Sequence, residues 1–137
     1  MSYLVDTNVI SELIKAQPEK SVVEWFREVP SDALFISVLT IGEIRKGIEK
    51  LEASVKRGKL VVWLEQELPV WFEDRVLVID SEIAEKWGYM LAKSKKIPSA
   101  VDSLIASTAL VHNLKIVTRN TKDFITFPDL EIINPWD

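Results

Sequence analysis

The chain has 137 residues, of which 47% are hydrophobic, and this length and composition predict a single compact domain with its own core. It contains no cysteine, which excludes a disulfide framework, a thiolate metal site and a cysteine nucleophile. The net charge of −4 argues against a general nucleic-acid binder, because phosphate contacts need lysine and arginine.

The N-terminus lacks the basic flank of a signal peptide, and its apolar run is too short for one. No stretch approaches the roughly 18 apolar residues that span a bilayer. We therefore expect a cytoplasmic protein with no membrane association.

Apolar, β-branched runs alternate with helical patterns along the chain, which predicts βαβ units on a mostly parallel sheet. The predicted strands cover residues 3–5, 34–37, 76–80, 115–118 and, more weakly, 130–133. The predicted helices cover about 9–15, a segment between Pro18 and Pro30, 39–52, a continuation to about 72 after a break near Gly58, 81–95 and 99–112. Ile97 and Pro98 should end the helix before them, because the residue before a proline avoids the helical region.

Asp6 ends the first apolar run, where a buried strand should turn into a helix. Ligands of open α/β sheets bind beyond the carboxyl ends of the strands, so Asp6 is a candidate for chemistry. An N-cap is the alternative role, since aspartate is a preferred capping residue.

Glu43 lies in the first turns of the helix that follows the second predicted strand. It points about 120° away from the apolar stripe of that helix and is not expected in the core. The alternative is structural, because residues 40–43 match a capping box.

Two further acids complete the set. Asp102 falls in the first turn of helix 99–112, in a capping pattern with Ser99, and Ala106 and Ala109 on the same face would let the helix carry it inward. Asp123 follows the strand at 115–118, where a turn or cap is the alternative role.

All four acids are expected at or just beyond strand ends, which lie on one edge of a parallel sheet. Crowded carboxylates raise one another's pKa values unless a cation intervenes, and oxygen ligands without histidine or cysteine suit Mg²⁺ or Mn²⁺. Such a site predicts metal-assisted hydrolysis of a phosphodiester. The bound metal and nearby basic residues would contact the nucleic-acid backbone. Arg45 is the cation that we single out to hold a phosphate, because of its fixed fork of donors.

Taken together, these residues resemble the PIN-domain nucleases, and more narrowly the VapC and FitB-type toxins of toxin–antitoxin pairs. The resemblance spans the chain and rests on the order and spacing of short motifs, which cover residues 4–9, 36–48, 102–109, 118–120 and 133–136. It implies an α/β/α sandwich around a mostly parallel sheet, formed by a single PIN-like domain over residues 1–137. It also implies a Mg²⁺- or Mn²⁺-dependent endoribonuclease.

The resemblance assigns Asp6, Glu43 and Asp102 to a catalytic metal site, with Thr7 or Asn8 as polar support and both as candidate substrate-binding residues. Some relatives carry a fourth acid where this chain has Asn120, and others carry it three residues later. We predict Asp123 as the fourth ligand, while the Asn120 amide could bind substrate or a water.

The resemblance also implies partners: an RNA substrate, a homodimer, and a cognate antitoxin that covers the active-site groove and binds promoter DNA as a complex. Three other functions stay open. A silent PIN scaffold would only hold partners, and a DNA nuclease would share the same phosphodiester site. A phosphotransfer enzyme of the aspartyl-phosphate type would use Asp6, although its commonest pattern has a second aspartate where this chain has Asn8.

Overall fold

Five short parallel strands form the central sheet in the computed structural model, which describes residues 1–96 and 98–137. The strands are β1 Tyr3–Val5, β2 Leu34–Ser37, β3 Val76–Leu77, β4 Lys115–Val117 and β5 Ile132–Ile133. Their order across the sheet is β3-β2-β1-β4-β5, and each neighbouring pair is parallel. This confirms the parallel sheet predicted from the sequence.

Helices connect the strands, and most of the described chain is helical. The helices are α1 Thr7–Leu13, α2 Lys20–Glu28, α3 Val38–Glu49, α4 Val55–Val62, α5 Leu68–Phe72, α6 Ser81–Lys93, α7 Ala100–Val111 and α8 Thr121–Phe124. A 3₁₀ turn at Ser31–Ala33 leads into β2, and a π-helical stretch at Trp63–Glu67 joins α4 to α5.

Successive strand residues point to opposite faces of the sheet, so each face carries apolar side chains. Helices cover both faces. Val5 and Val117 pack into a cluster with buried residues of α1, α2, α3 and α5, including Phe72. Leu4 and Ile116 pack into a second cluster with residues of α6, α7 and α8. The chain is therefore the expected three-layer α/β/α sandwich.

The direction of winding changes at β1. The chain first adds β2 and β3 on one side of β1 and then crosses over to place β4 and β5 on the other side. In open α/β sheets the crevice at such a switch point, beyond the carboxyl ends of the strands, is where ligands bind. Here that crevice lies between the ends of β1 and β4. The Asp6 amide joins these two strand ends by donating to the Val117 carbonyl at 2.9 Å.

Several element boundaries differ from those predicted. The break after α3 falls at residues 50–54 and not at Gly58, which lies inside α4. The Ser54 side chain caps α4 by accepting from the Arg57 amide at 3.0 Å, and this contact starts the helix before the glycine. Strand β3 ends at Leu77 because Asp80 already serves as the N-cap of α6. Ile97, where the sequence predicts a helix end, lies outside the described residues.

Among the described residues, no helix is both long enough and apolar enough to cross a lipid bilayer.

A substitution at Phe72 measures how much the core on the α1–α5 side of the sheet contributes to stability. Its side chain is fully buried, whereas Val70 on the same helix is 72% exposed. Phe72→Ala should lower the free energy of unfolding by about 3–5 kcal/mol, because it removes apolar contacts and leaves a cavity. Val70→Ala should change it by less than about 0.5 kcal/mol. Urea denaturation measures both, and equal effects of the two substitutions would contradict this description of the core.

Candidate active site

Asp6 is a nearly buried carboxylate at the end of β1, with 5% of the residue exposed. It is the N-cap of α1, and its Oδ1 accepts from the Thr7 amide at 2.9 Å. Its Oδ2 accepts from Asn8 Nδ2 at 3.1 Å and from Thr118 Oγ1 at 2.8 Å. The capping role and the position at the switch point are thus not alternatives, because Asp6 has both.

Thr118 is the residue of this crevice that the sequence analysis left out of the site. It follows β4 directly, is fully buried, and donates to Asp6 while accepting from Asn8 Nδ2 at 3.2 Å and from the Asn120 amide at 3.1 Å. The signal was present in the sequence, because a hydroxyl residue ends an otherwise apolar strand next to the strand of Asp6. The hydrogen-bond partners of Thr118 cannot be predicted from the sequence, because they depend on the pairing of β1 with β4.

Asn8 lies between the two strand ends. Its amide nitrogen donates to Asp6, and its Oδ1 accepts from the backbone amide of Arg119 at 3.1 Å. Both ends of this side chain are therefore engaged within the protein. That arrangement fits polar support of Asp6, which is one of the two roles considered from the sequence.

Glu43 is exposed and is joined to α1 through Thr7, whose hydroxyl donates to Glu43 Oε1 at 2.6 Å. The alternative role, a capping box at residues 40–43, is wrong. Ser37 is the N-cap of α3 and accepts from the Leu39 amide at 3.1 Å, because the extended backbone of β2 ends there and Thr40 already lies inside the helix. The Glu43 carboxylate is thus free of a capping role.

Asp102 lies in the first turn of α7, whose N-cap Ser99 accepts from the Asp102 amide at 3.4 Å. Ala106 and Ala109 are fully buried, and Asp102 itself is partly buried. The expectation that all four acids lie at or just beyond strand ends is wrong for Asp102, which follows a loop after α6. The start of α7 brings it to the crevice instead.

The four acids form one electrostatic cluster around Asp102. The pKa of Asp102 is raised to about 6, first by burial and then by repulsion from Asp6, Asp123 and Glu43. Burial also raises the pKa of Asp6, with a further contribution from Glu43, against the lowering effect of its hydrogen bonds to Thr118, Thr7 and Asn8. The hydrogen bonds within the crevice therefore do not fully compensate for the burial and mutual repulsion of its carboxylates.

Asp123 is exposed and lies in the first turn of α8, and Asn120 is the N-cap of that helix. Asp102 and Asp123 line a cavity of about 180 Å³ together with Lys96 and Lys122. The structure thus brings Asp123 beside Asp102.

Arg45 is the predicted site residue that lies elsewhere. Its guanidinium donates to Glu49 Oε1 at 3.3 Å and to Glu65 Oε2 at 2.9 Å, which ties α3 to the π-helical stretch. These contacts direct Arg45 away from the carboxylate cluster, and nothing in them supports a phosphate-binding role.

Within residues 1–96 and 98–137, no group of three acidic, histidine or cysteine side chains is arranged to hold a metal ion. The four carboxylates are near enough to repel one another but do not form a closed coordination shell. Their donor set is oxygen alone, which suits Mg²⁺ or Mn²⁺, and Mg²⁺ is commonly held by one or two carboxylates with waters in its remaining positions. The donors present therefore fit such an ion.

The chain is similar to known proteins over nearly its whole length. A family model described as PIN domain matches residues 3–130. The chain is 34% identical over 137 residues to VapC ribonuclease Y4jK of Sinorhizobium fredii, covering 98% of this chain and 97% of that protein. It is 35% identical over 136 residues to Toxin FitB of Neisseria gonorrhoeae, covering 97% of each.

Solved structures show the same fold. FitAB bound to an IR36 DNA fragment contains a chain with a TM-score of 0.90 and 32% identity, with 98% of this chain and 96% of that chain covered. A toxin–antitoxin complex from Klebsiella pneumoniae gives a TM-score of 0.72 at 26% identity, with 99% of each chain covered. VapBC2 from Rickettsia felis, bound to a DNA fragment from its promoter, gives 0.76 at 25% identity, with 100% of each covered.

Removing the charge of Asp102 should stabilise the metal-free protein. Its raised pKa means that the folded state holds the proton more tightly than the unfolded chain, so its contribution to stability falls as pH rises from about 4 to above 6. At pH 7.5 in EDTA, Asp102→Asn should raise the free energy of unfolding by about 1 kcal/mol, a figure reduced for solvent screening of a partly exposed group.

At pH 4 the two proteins should be equally stable, because Asp102 is then largely protonated in the folded state. Urea denaturation at the two pH values measures the difference, and Asp74→Asn, at an exposed position, is the control. A destabilised Asp102→Asn protein at pH 7.5 would contradict the electrostatic description.

Thr118→Val should show what the hydroxyl contributes to the Asp6 carboxylate. The substitution keeps the shape but leaves a buried carboxylate oxygen short of a donor, so the free energy of unfolding should fall by about 1–3 kcal/mol. Thr126→Val, at an exposed threonine, should have a much smaller effect. Thermal and urea unfolding compare the two, and equal losses would argue against a structural role of the Thr118 hydrogen bonds.

Proposed function

The chain belongs to the PIN-domain family, and we propose that it is a Mg²⁺- or Mn²⁺-dependent endoribonuclease toxin restrained by a cognate antitoxin. The observation that carries this proposal is the convergence of Asp6, Glu43, Asp102 and Asp123 on one crevice, with the pKa of Asp102 raised by burial and by the other three acids. Relatives named as a VapC ribonuclease and a FitB toxin, matched over nearly the whole chain, support the same activity.

Under this proposal Asp6, Glu43, Asp102 and Asp123 are the catalytic residues and the metal ligands. A divalent cation held by these carboxylates would offset their negative charge and would supply Lewis-acid chemistry for phosphodiester hydrolysis. Below about pH 6 Asp102 holds its proton, so cation binding should be accompanied by release of that proton.

The neighbouring residues of this chain hold the carboxylates in place. Three donors fix the Asp6 carboxylate, so its orientation is set before any ligand binds. Thr7 holds Glu43 through its hydroxyl at 2.6 Å. We assign Thr7 and Asn8 to positioning, leave Asn120 as a candidate substrate contact, and place Arg45 outside the site because of its two glutamate partners.

The proposed partners follow from the relatives. We propose that the chain acts in the cytoplasm as a homodimeric single-domain protein, that an antitoxin blocks its site, and that promoter DNA is bound only through the antitoxin complex. The resemblance to a toxin–antitoxin complex and to complexes bound to DNA supports this assignment.

One observation favours a catalytically silent scaffold as the second candidate. No group of three ligand-type side chains in the described part of the chain is arranged to hold a metal ion. An aspartyl-phosphate mechanism is disfavoured, because its commonest pattern has a second aspartate where this chain has Asn8, and the Asn8 side chain is engaged by Asp6 and by the Arg119 amide.

Cleavage of a structured RNA pool by the purified protein tests the proposal. The wild type should cleave with Mg²⁺ or Mn²⁺ and not with EDTA, and Asp102→Asn should reduce the rate about 100-fold or more, because the site loses a charged ligand. Asp74→Asn should cleave like the wild type, and the co-purified antitoxin should suppress cleavage.

Cleavage that survives both EDTA and Asp102→Asn would exclude this site as its source. A wild-type protein that neither cleaves RNA nor binds Mn²⁺ in a calorimetric titration would favour the silent scaffold. Cleavage of DNA at the same rate as RNA would show that the sugar is not recognised.

A further inference from the structure

The segment after β5, residues 134–137, lies at the edge of the sheet that carries the carboxylate cluster. The Thr118 amide donates to the Ile133 carbonyl at 2.9 Å, so β5 ends beside a residue of the crevice. The segment then forms a turn, in which Asn134 Oδ1 accepts from the Trp136 amide at 2.9 Å. Residues 133–136 are one of the short motifs of the sequence, yet none of them belongs to the carboxylate cluster.

Trp136 offers a fixed aromatic surface next to the loop after β4. Its side chain is partly buried and packs against the core cluster that contains Val5 and Val117, the last residues of β1 and β4. The guanidinium carbon of Arg119 lies 5.0 Å from the centroid of the Trp136 ring. A guanidinium stacks well on an aromatic face, so this contact holds an otherwise exposed side chain in one place.

The charge of Arg119 acts on Glu12 of α1 and not on the carboxylate cluster. The pKa of the buried Glu12 is lowered, first by hydrogen bonds from Lys15 and the Glu19 amide and then by nearby charges that include Arg119. The charges that shift the pKa of Asp102 are those of other acids. Within residues 1–96 and 98–137, Arg119 forms no ion pair. Any influence of Arg119 on the crevice must therefore pass through its backbone.

The backbone of Arg119 does reach the crevice. Its amide donates to Asn8 Oδ1 at 3.1 Å, and Asn8 Nδ2 donates to Asp6 Oδ2 at 3.1 Å. The two ends of a side-chain amide belong to one rigid plane, so the bond accepted at one end orients the donor at the other. The orientation of Asn8, and with it one of the donors to Asp6, therefore depends on where the loop after β4 lies.

Two kinds of contact hold that loop, which joins β4 to α8. Thr118 Oγ1 accepts from the Asn120 amide at 3.1 Å, but Asn120 gives α8 no side-chain cap. The stacking of Arg119 on Trp136 adds a contact that ties the loop to the segment after β5. Movement of the Arg119 side chain away from the ring would therefore release its amide from Asn8.

We propose that Trp136 is a positioning residue for the metal site. Its ring holds the Arg119 side chain, and Arg119 in turn keeps its amide within reach of Asn8. Asn8 then presents its amide nitrogen to Asp6. This inference rests on the proposed function and adds to it that the segment after β5 contributes to metal binding without supplying a ligand, as partners behind the ligands of a metal commonly do.

Calorimetric titration with Mn²⁺ measures this contribution. Trp136→Leu keeps an apolar side chain but removes the aromatic face, so it should weaken Mn²⁺ binding about 10-fold. Trp136→Phe restores a face for the guanidinium and should bind Mn²⁺ within about threefold of the wild type. With an RNA that the wild type cuts, the half-saturating Mn²⁺ concentration for cleavage should rise by the same factor as the dissociation constant.

The control is Trp71→Leu. Trp71 packs against the same core cluster as Trp136 but belongs to α5, and its ring lies against Phe26 and Phe72. Both substitutions should lower the free energy of unfolding, whereas Trp71→Leu should leave the Mn²⁺ affinity unchanged. Equal losses of Mn²⁺ affinity in the two variants would show that Trp136 acts only through general stability and would overturn the proposal.

Arg119→Gln gives a test in which positioning and charge have opposite signs. Removing a cation near the acids should strengthen Mn²⁺ binding if only long-range charge matters, but the loss of positioning should weaken it about 10-fold. Lys122→Gln, which removes a cation from the cavity of Asp102 and Asp123, should leave the affinity equal or higher. The double variant Arg119→Gln/Trp136→Leu should bind no more weakly than either single variant, because both remove one contact.

Hydrogen exchange of the metal-free protein follows the same contact without a ligand. In Trp136→Leu the Arg119 amide should exchange about 10-fold faster or more, because its bond to Asn8 opens more often. The Thr118 amide, which donates to the Ile133 carbonyl within the sheet, should keep its protection. Equal acceleration of both amides would indicate general loosening and would overturn the proposal.

The outcomes separate this inference from the proposed function. A wild-type protein that neither binds Mn²⁺ nor cleaves RNA would overturn both. A wild type that does both, while Arg119→Gln and Trp136→Leu bind Mn²⁺ as it does, would overturn this inference alone. If Trp136→Leu does not fold, Arg119→Gln decides, since Arg119 is exposed and its substitution leaves the core intact.

Discussion

The buried carboxylate of Asp6 is the constraint on which the crevice depends. Removing such a group from water is costly unless donors surround it, and here they come from both sides of the switch point. Thr7 and Asn8 belong to the helix after β1, while Thr118 follows β4. The same bonds that satisfy the charge therefore hold the two strand ends together. Because Asn8 and Thr118 are used in this way, the edge of the sheet is set before any ligand binds, which is how enzymes commonly hold a charged ligand in one orientation.

Repulsion is the second feature of the site. Asp102 enters the crevice from a helix start and meets three other carboxylates, and this arrangement opposes folding in the absence of a cation. A site that is unfavourable when empty binds a divalent ion more readily, since the ion relieves a penalty already present in the folded protein. Under the proposed function, the stability of the metal-free protein and its affinity for the divalent ion should therefore be inversely related, because both depend on the same side chains.

The distribution of charge resolves the difficulty raised by the acidic composition. Net charge describes the whole chain, but a nucleic acid meets only the surface next to the bond that reacts. There the acids are gathered into one crevice, and lysines without carboxylate partners stand on either side of it. Elsewhere several cations are paired, as Arg45 is with Glu49 and Glu65. Local pairing, and not composition, decides which cations remain available to a phosphate.

The amino-acid sequence by itself determined the order of strands and helices, the parallel sheet, and the candidate acids, because apolar periodicity and strand-end position are local properties that a chain carries in its order of residues. Only the tertiary structure decided which alternatives hold. Thr40 cannot cap a helix that Ser37 has already started, and Gly58 does not break a helix that Ser54 caps. The partnership of Asp6 with Thr118, 112 residues apart, and the pairing that draws Arg45 away exist only once distant segments meet. Such contacts depend on packing between elements, which no local pattern encodes.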